Sequence, residues 1–520
     1  MLKQLTAVGV GPEAEYAIDF GKRLNVFTGD NALGKSFVLD MVWWALAYEW
    51  FDEEAFPNDP KVRAKISAIT SNNGDEGVFN STYYSQGQHW NIDDYPRNRP
   101  DIVVYAGMDG IFSVWDSLRN VIPKPKDPEG VAGMAYLSGR RMVPDVYRFT
   151  PHDLLMGLYD SSGKAQCNGL LRDVAEWQAR DTEVAKSALG YITNVLQKIS
   201  CPGEELALGK ATRLYLNDVR EYPTIRFSYG DVPVIFASAA VKRILSLAYL
   251  LVWTWTEHLQ ACQIVGQEPG NELVFIIDEV EAHLHPRWQR YIMQSLLNDV
   301  APVLSEKLNA QFFVTTHSPL VLASIEPLVK PDSDKLFLFS LLNGKVQMNE
   351  QPWIKRGDAV GWLTSDIFGL HETRSPEAEM AIERAMDLMD NLKDTDNTEV
   401  ETVHQKLIES LADNDPFWLQ WKFFREKQQT EELSFQGGEY ANKSCVVSFD
   451  LPKFIALRVP DKEWMWTTYG KTEQLSKPKT LIYGHVGTSS QPMHNAVKLI
   501  QTIRGEKLLA VELEESVKAS

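Results

Sequence analysis

The chain has 520 residues, of which 44% are hydrophobic and 23% are charged, a composition typical of soluble globular proteins. This length predicts about two to four structural units and excludes a small protein held together by disulfide bonds. No apolar run is long enough to predict a membrane span, and no apolar segment follows Lys3 to predict a secretory signal, so we expect a cytoplasmic protein. The net charge of −18 excludes a protein that coats nucleic acid through its overall charge.

The cysteines indicate a reducing compartment. They are far apart in the sequence and show no CxxC spacing; their positions are Cys167, Cys201, Cys262 and Cys445. This pattern favours scattered buried thiols over a zinc site or a disulfide framework.

Hydrophobic periodicity predicts alternating strands and helices over the first 330 residues. Two strands are predicted within residues 1–28. Residues 24–28 are predicted to form a strand, and residues 101–105 are a β-rich run. Apolar runs predict buried strands at residues 273–277 and 311–315. Helical spacing predicts helices at residues 37–50, 170–199, 237–263 and 288–299. Several prolines and a glycine predict an irregular insertion at 121–150.

The charge distribution marks a boundary near residue 440. Residues 371–440 contain 17 acidic and 7 basic side chains, a net charge of −10, whereas residues 441–520 contain 8 and 11, a net charge of +3. Such a shift predicts a change of domain. The last segment alternates apolar and polar residues, which predicts a small β-containing appendage. Its aromatic and basic side chains either form its own core or contact bases or a partner: Trp464, Trp466, Tyr469, Lys462 and Lys471.

The strongest motif lies between the strand at 24–28 and a predicted helix. It matches the GxxxxGK[ST] pattern of a phosphate-binding P-loop, with the residues Gly29, Asp30, Asn31, Ala32, Leu33, Gly34, Lys35 and Ser36. Backbone N–H groups of such a loop bind phosphate oxygens, aided by the dipole of the helix that follows. Lys35 is expected to reach the β- and γ-phosphates of a nucleotide, and Ser36 to bind Mg²⁺.

Two carboxylates follow the apolar strand at 273–277. Asp278 and Glu279 are expected at the carboxyl end of that strand, where ligands bind in parallel sheets. Asp278 would hold Mg²⁺, directly or through water, and Glu279 would act as the general base that polarises the attacking water. An apolar strand that ends in Asp-Glu is common, so the prediction depends on the P-loop earlier in the chain.

Two further segments are candidates for the site because of their positions along the chain relative to the P-loop and the Asp-Glu pair. His317 follows the strand at 311–315 within a Thr-Thr-His-Ser run, where it is either a structural histidine or a sensor of the γ-phosphate, and the context favours the sensor. Ser238 and Ala240 begin the helix at 237–263. Small residues there let backbone N–H groups approach a phosphate, although they are equally typical of an ordinary capped helix start.

The order of these four motifs resembles that of ABC-type ATPase heads, in particular the soluble branch shared by SMC, RecF and OLD proteins. Residues 281–286 are similar to the "DE.E.HLHP" run of AAA/ABC ATPases in bacterial anti-phage defence, as are residues 29–31, 113–116 and 316–321. PtuA-like proteins, the ATPase subunits of Septu and some retron systems, belong to this group. The resemblance covers roughly residues 1–330 and is weaker to about residue 430.

The resemblance implies an α/β fold. We expect an ABC-ATPase head with a mostly parallel core sheet, an antiparallel β subdomain and a helical subdomain at 1–335, with an insertion around 51–235. An acidic, mainly helical region is expected at 336–440, and a small α/β appendage, open to partner binding, at 441–520.

The resemblance also implies roles for the site residues. Lys35 and Ser36 take the places of the Walker A pair. Asp278 and Glu279 take those of the Walker B aspartate and the catalytic glutamate, and His317 takes that of the switch histidine.

Ser238 takes the place of the signature serine, which acts on the nucleotide of a second subunit and so implies a head-to-head dimer with two ATP molecules. Ala240 and Ala32 stand where the family usually has glycine. Their Cβ atoms crowd the backbone approach, which would slow hydrolysis or weaken dimer closure. For the Q-loop glutamine, Gln86 and Gln88 are weak candidates.

Two functions of different classes remain open. The first is an ATPase that uses ATP and Mg²⁺, forms a dimer or a higher oligomer, and regulates a separately encoded effector in an anti-phage defence complex. Its expected partners are an HNH-type, PtuB-like nuclease and a reverse transcriptase with its msDNA or another nucleic acid, without a membrane. The alternative is a DNA-repair or chromosome-maintenance ATPase acting on DNA ends, against which the acidic charge and the absence of a long heptad run count.

Overall fold

The computed structural model describes residues 1–120, 146–370, 373–390 and 397–429, apart from Pro60, Tyr95 and Arg97, together with the backbone of six strands after residue 443. The chain divides into two compact units, Met1–Thr373 and Arg374–Ser520. Within the described residues, no helix combines the length and the apolar character that crossing a membrane requires.

The first unit contains both strands and helices. Its strands, in chain order, are β1 Leu2–Val8, β2 Glu15–Asp19, β3 Leu24–Gly29, β4 Lys65–Asn72, β5 Asp75–Tyr84, β6 His89–Asp94, β7 Ile102–Ala106, β8 Phe112–Asp116, β9 Tyr147–Phe149, β10 Leu158–Tyr159, β11 Ala165–Cys167, β12 Ala207–Arg213, β13 Glu221–Phe227, β14 Gly230–Pro233, β15 Glu272–Ile277, β16 Asn309–Thr315, β17 Asp334–Leu342 and β18 Lys345–Gln351. Its helices are α1 Lys35–Ala47, α2 Pro151–Met156, α3 Leu170–Ala179, α4 Glu183–Ile199, α5 Ala239–Val265, α6 Pro286–Gln289, α7 Ile292–Ser295, α8 Ala301–Leu304, α9 Pro319–Ile325 and α10 Ala359–Leu363.

A central sheet of eight strands forms the middle of this unit, in the order β18-β17-β3-β16-β15-β7-β8-β9. The inner strands from β17 to β7 pair in parallel, and the outer strands pair antiparallel. All residues of β7 and β15 are buried, because their side chains alternate between two hydrophobic clusters that cover the two faces of the sheet. Helix α1 contributes to one cluster and α5 to the other.

A second sheet, ordered β2-β1-β4-β5-β6, is antiparallel and forms the β subdomain. Gln311, buried in β16, fixes β1 against the central sheet: its amide nitrogen donates to the carbonyl oxygens of Leu2 and Gly21, both at 2.8 Å, and its amide oxygen accepts the Leu2 N–H at 2.9 Å. The helices α3 to α5 and the small sheet β12-β13-β14 form the helical subdomain. The predicted head architecture is therefore confirmed.

Some elements differ from the sequence predictions. Residues 1–28 form three strands, since Glu15–Asp19 also alternates exposed and buried residues. The helix predicted at 170–199 is two helices, and the second begins where Thr182 caps it by accepting the Ala185 N–H. The helix predicted at 288–299 is interrupted by a π-helical stretch, Leu296–Val300, because Pro302 in the next turn lacks an N–H and its ring displaces the carbonyl four residues earlier.

The boundaries of the head also differ from the sequence predictions. The first unit continues past residue 335 because β17 pairs in parallel with β3, and β18 pairs with β17. The insertion expected at 51–235 contains β7 and β8, which belong to the central sheet because β7 pairs with β15. Most of the irregular segment predicted at 121–150 lies outside the described residues.

The second unit contains three helices, α11 Pro376–Asp390, α12 Asn397–Ser410 and α13 Phe417–Gln429. They share a hydrophobic cluster in which Trp421 is fully buried. Six strands follow and pair antiparallel in sequence order: Ser444–Val447, Phe454–Arg458, Met465–Thr468, Thr480–Val486, Met493–Ile500 and Ala510–Glu515. The boundary expected near residue 440 and the aromatic side chains of the appendage lie outside the described residues.

Candidate functional site

Three neighbouring parallel strands of the central sheet end at the same edge. Strand β3 ends at Gly29, β16 at Thr315 and β15 at Ile277, and β16 lies between the other two. The P-loop, the Thr-His-Ser run and the Asp-Glu pair follow these strands directly. The sheet thus places three motifs that are far apart in the sequence side by side.

The P-loop requires glycine at two positions. Gly29 has a φ of 127°, and a Cβ there would lie 2.1 Å from the carbonyl oxygen of Phe339. Gly34 has a φ of 93°, and its Cβ would lie 2.6 Å from Cγ of Pro12. Ala32 adopts a left-handed φ of 61°. The loop therefore keeps, at Ala32, a conformation that favours glycine.

Lys35 is buried inside this loop. Its Nζ donates to the carbonyl oxygens of Gly29 at 3.1 Å and Asp30 at 2.6 Å. Burial lowers the pKa of Lys35, and the negative charges of Glu279 and Asp278 oppose that effect. A buried ammonium held by neutral carbonyl groups suits a phosphate ligand, because the anion supplies compensating charge.

Thr315 connects the strand of the carboxylates to its neighbour. Its hydroxyl donates to Oδ1 of Asp278 at 2.6 Å and accepts the backbone N–H of Glu279 at 2.7 Å. Asp278 is 5% exposed, whereas the Glu279 side chain is 34% exposed and its backbone has a left-handed φ of 49°. One carboxylate is thus fixed by a buried hydrogen bond, and the other is accessible to water, as a general base must be.

A third carboxylate, Glu281, contacts the loop after β16. It accepts the backbone N–H of His317 and, at 2.8 Å, the hydroxyl of Thr316. The same Thr316 hydroxyl accepts the backbone N–H of Ser318 at 3.0 Å. Burial raises the pKa of Glu281. The loops that follow β15 and β16 are therefore joined by side-chain hydrogen bonds at successive positions.

His317 lies beside the proposed base. Its Nε2 is 3.9 Å from Oε1 of Glu279. Burial, followed by the charge of Lys35, lowers the pKa of His317, so its ring is neutral at pH 7. A neutral imidazole has one donor and one acceptor nitrogen, and the donor is suited to a phosphate oxygen.

The remaining P-loop candidates differ in exposure. Leu33 is buried, whereas the polar candidates Asp30, Asn31 and Ser36 are exposed. The hydroxyl of Ser36 at the start of α1 is therefore accessible from solvent.

The signature candidates lie at the start of α5. Ser238 is exposed and caps the helix, since its Oγ accepts the Val241 N–H at 3.4 Å. Ala240 is half-buried in the first turn. Among the described residues, the hydrogen bonds of Ser238 remain within its own helix.

The two glutamine candidates belong elsewhere. Gln86 and Gln88 lie in the exposed turn between β5 and β6, in the antiparallel sheet, and Gln86 accepts a hydrogen bond from Tyr84 there. No cluster of three or more His, Cys, Asp or Glu side chains suited to a metal occurs among the described residues. The cysteines in the described ranges are free and buried: Cys167, Cys201 and Cys262.

Sequence reasoning missed Asp40. This residue of α1 lies one helical turn after Ser36 and accepts a hydrogen bond from the Tyr105 hydroxyl at 2.9 Å. Burial raises the pKa of Asp40 to about 7, and the charges of Asp278 and Asp52 act in the same direction. An acidic residue on the strongly apolar helix after the P-loop was the signal that could have revealed it.

Comparison with known proteins gives the family. The chain is 31% identical over 437 residues to the Septu protein PtuA of Bacillus thuringiensis, an alignment that covers 80% of this chain and 95% of the relative. The chain belongs to the PtuA family. A family model described as "AAA domain, putative AbiEii toxin, Type IV TA system" matches residues 244–323 of this PtuA-family chain, which include both carboxylates and His317.

Other similarities are more local. A retron Ec83 probable ATPase of Escherichia coli is 36% identical over 104 residues, 20% of this PtuA-family chain and 16% of that protein. A retron Vc95 probable ATPase of Vibrio cholerae serotype O1 biovar El Tor is 44% identical over 52 residues, 10% and 9% of the two chains. Among solved structures, the SMC head domain from Thermotoga maritima is 15% identical with a TM-score of 0.33, and the match covers 67% of this chain and 98% of that one.

The raised pKa of Asp40 predicts a pH-dependent stability. The folded state holds the Asp40 proton up to about pH 7, whereas the unfolded chain loses it near the ordinary value of 3.8, so stability falls as the pH rises through this window. Asp40→Asn removes this dependence. Without nucleotide, the stability advantage of the variant over the wild type should therefore grow between pH 5 and pH 8, on the order of 2 to 3 kcal/mol.

Urea denaturation at both pH values measures this difference. Asp19→Asn is the control, because Asp19 is exposed on β2. A gap between wild type and Asp40→Asn that does not widen between pH 5 and pH 8 would contradict a buried, protonated Asp40.

Proposed function

We propose that this PtuA-family chain is an ATPase whose nucleotide state regulates a separately encoded effector in anti-phage defence. The supporting observation is the convergence of Lys35, the Asp278-Glu279 pair and His317 at the ends of three neighbouring parallel strands. The names of the relatives, a Septu protein and retron ATPases, support the defence setting.

Each group of the site has a proposed role. The backbone N–H groups of the P-loop and the Lys35 ammonium bind the β- and γ-phosphates. Glu279 accepts a proton from water while the water oxygen bonds to the γ-phosphorus, and the bond from that phosphorus to the bridging oxygen breaks to release ADP. His317 donates a hydrogen bond to an oxygen of the γ-phosphoryl group and so stabilises its charge.

The residues fit a magnesium ion that accompanies ATP. Asp278 keeps one oxygen on Thr315 and has a second for a cation. Burial is the main cause of the raised pKa of Asp40, and the charge of Asp278 adds to it. Asp278 and the hydroxyl of Ser36 would hold the ion. When bound, Mg²⁺ would neutralise phosphate charge.

A head-to-head dimer is part of the proposal. Ser238 and the half-buried Ala240 lie at the exposed start of α5, where a second subunit has access to them. The helix N-terminus presents free backbone N–H groups and a positive dipole end to the partner's phosphates. Each ATP would then lie between the P-loop of one chain and Ser238 of the other.

Removing the proposed base should separate binding from hydrolysis. In Glu279→Gln the amide keeps the shape of the side chain but cannot accept the proton of water. Mg²⁺-ATP binding should persist while the turnover rate falls roughly 10²- to 10⁴-fold. Lys35→Ala is the contrasting variant and should lose nucleotide binding itself. Isothermal titration and phosphate release measure both, and normal turnover in Glu279→Gln would show that another group is the base.

Mixed dimers test whether Ser238 acts in trans. Lys35→Ala and Ser238→Arg should each be inactive alone, since every site of either homodimer contains a defect. A mixed dimer contains one site with both defects and one intact site, so mixing should restore partial ATP hydrolysis. Co-purification through an affinity tag on only one of the two variants verifies that mixed dimers form. Formation of mixed dimers without any hydrolysis would argue against the trans role of Ser238.

The effector requires a test of its own. Native mass spectrometry of the chain expressed with its genomic neighbours should detect a complex with an HNH-type nuclease, with a reverse transcriptase and its msDNA as further candidates. Turnover that is stimulated by DNA ends in a chain that purifies without a protein partner would instead support the repair function.

A further inference from the structure

We infer that Glu281 is a positioning residue for ATP hydrolysis, which holds His317 in register with the proposed base. This inference rests on the proposed function, because it assigns His317 a role toward the γ-phosphate. Nothing in the motif roles requires Glu281, which stands three residues after Asp278 and outside the Asp-Glu pair.

The contacts of Glu281 are the first support. Both of its carboxylate oxygens are engaged: one accepts the backbone N–H of His317, and the other accepts the Thr316 hydroxyl at 2.8 Å. Thr316 is fully buried. A carboxylate that accepts from two adjacent residues fixes both the backbone and the side-chain rotamer of the loop.

The position of these contacts is the second support. His317 is the first residue of this loop whose backbone N–H does not donate to a strand, because the Thr316 N–H still donates to the carbonyl oxygen of Phe27 at 3.1 Å. After His317, the Ser318 N–H donates to the Thr316 hydroxyl, and the Ser318 Oγ caps α9 by accepting the Val321 N–H. Glu281 thus supplies the acceptor for the His317 N–H, which lies between one N–H that donates to a strand and one that donates within the loop.

The connection to the base is the third support. Glu281 follows Glu279 by two residues, and the backbone between them is fixed because the Val280 N–H donates to the Thr315 carbonyl oxygen at 3.3 Å. One short segment therefore carries both the proposed base and the group that places the histidine 3.9 Å from it. A shift of either loop moves both catalytic groups together.

The first readout is the rate of ATP hydrolysis in a double-mutant cycle. Glu281→Ala removes both acceptors, and we expect a roughly 10- to 100-fold lower single-turnover rate with Mg²⁺-ATP affinity changed less than about threefold. Glu281→Gln keeps one acceptor oxygen and should lie between the wild type and the alanine variant. In a His317→Ala background, Glu281→Ala should have little further effect, because its target is already absent.

Glu326→Ala is the matched control. Glu326 is also a carboxylate that accepts backbone N–H groups, from Arg356 at 3.0 Å and Gly357 at 3.2 Å, and it accepts the Trp362 indole N–H at 2.8 Å. These partners lie outside the loops that follow β3, β15 and β16. Glu326→Ala should lower the melting temperature. Any change that it causes in the hydrolysis rate should be the same in the presence and absence of His317. Melting temperatures of all variants identify any loss of folding.

Two results would overturn the inference. One is an equal loss of rate from Glu281→Ala in the presence and absence of His317. The other is a loss of rate from Glu326→Ala that depends on His317 as strongly as the loss from Glu281→Ala does. If the wild-type chain binds ATP but does not hydrolyse it, the proposed hydrolysis is wrong, and this result requires no Glu281 variant. In that case, hydrogen exchange of residues 315–322 with bound ATP decides: protection that is lost in Glu281→Ala supports the inference, and protection equal to the wild type overturns it.

Discussion

The parallel pairing of β16 with β3 on one side and β15 on the other is the constraint on which the site depends. Its register sets Val314 beside Ile277 and Thr315 beside Phe27, so the three strands end within one or two residues of one another. The contacts between the loops that follow β15 and β16 depend on that register. The hydroxyl of Thr315 reaches Asp278 because the two residues end neighbouring strands. A shift by one residue would direct Thr315 to the opposite face and break this contact.

Electrostatics explain why this edge suits a nucleotide with its cation. Two buried or half-buried carboxylates, Asp278 and Glu281, lie near a single buried ammonium, Lys35, and a neutral histidine. Burial holds the Asp40 proton up to about pH 7, which reduces the negative charge that the protein must accommodate. In the proposed function, this arrangement would accommodate the positive charge of a metal ion and, within the P-loop, the negative charge of phosphate groups.

The sequence predicted the parts of this structure that depend on local pattern. The apolar runs at 273–277 and 311–315 and the P-loop were recognisable because buried parallel strands and glycine loops have strong signatures. The sequence could not show that residues 102–106 belong to the same sheet as these strands, since pairing between distant segments leaves no local pattern. It also could not reveal Asp40 as a site residue, and it marked Glu281 only as part of the run at 281–286. The contacts of these two carboxylates with Tyr105, Thr316 and His317 form only in the fold.

The two alanines that stand where the resemblance implies glycine have different physical consequences. Ala32 is in a left-handed conformation, which is less favourable for a residue with a Cβ by about 1 kcal/mol, so the loop tolerates strain to keep its shape. Ala240 is in a helix, where alanine is more favourable than glycine by about 1 kcal/mol. Alanine at this position therefore strengthens the helix that Ser238 caps, while its Cβ adds bulk to the surface that would face a partner's phosphate. In the proposed dimer, the first turn of the helix would thus be more stable, while its contact with the phosphate across the interface would be weaker. The closed dimer would therefore dissociate more readily.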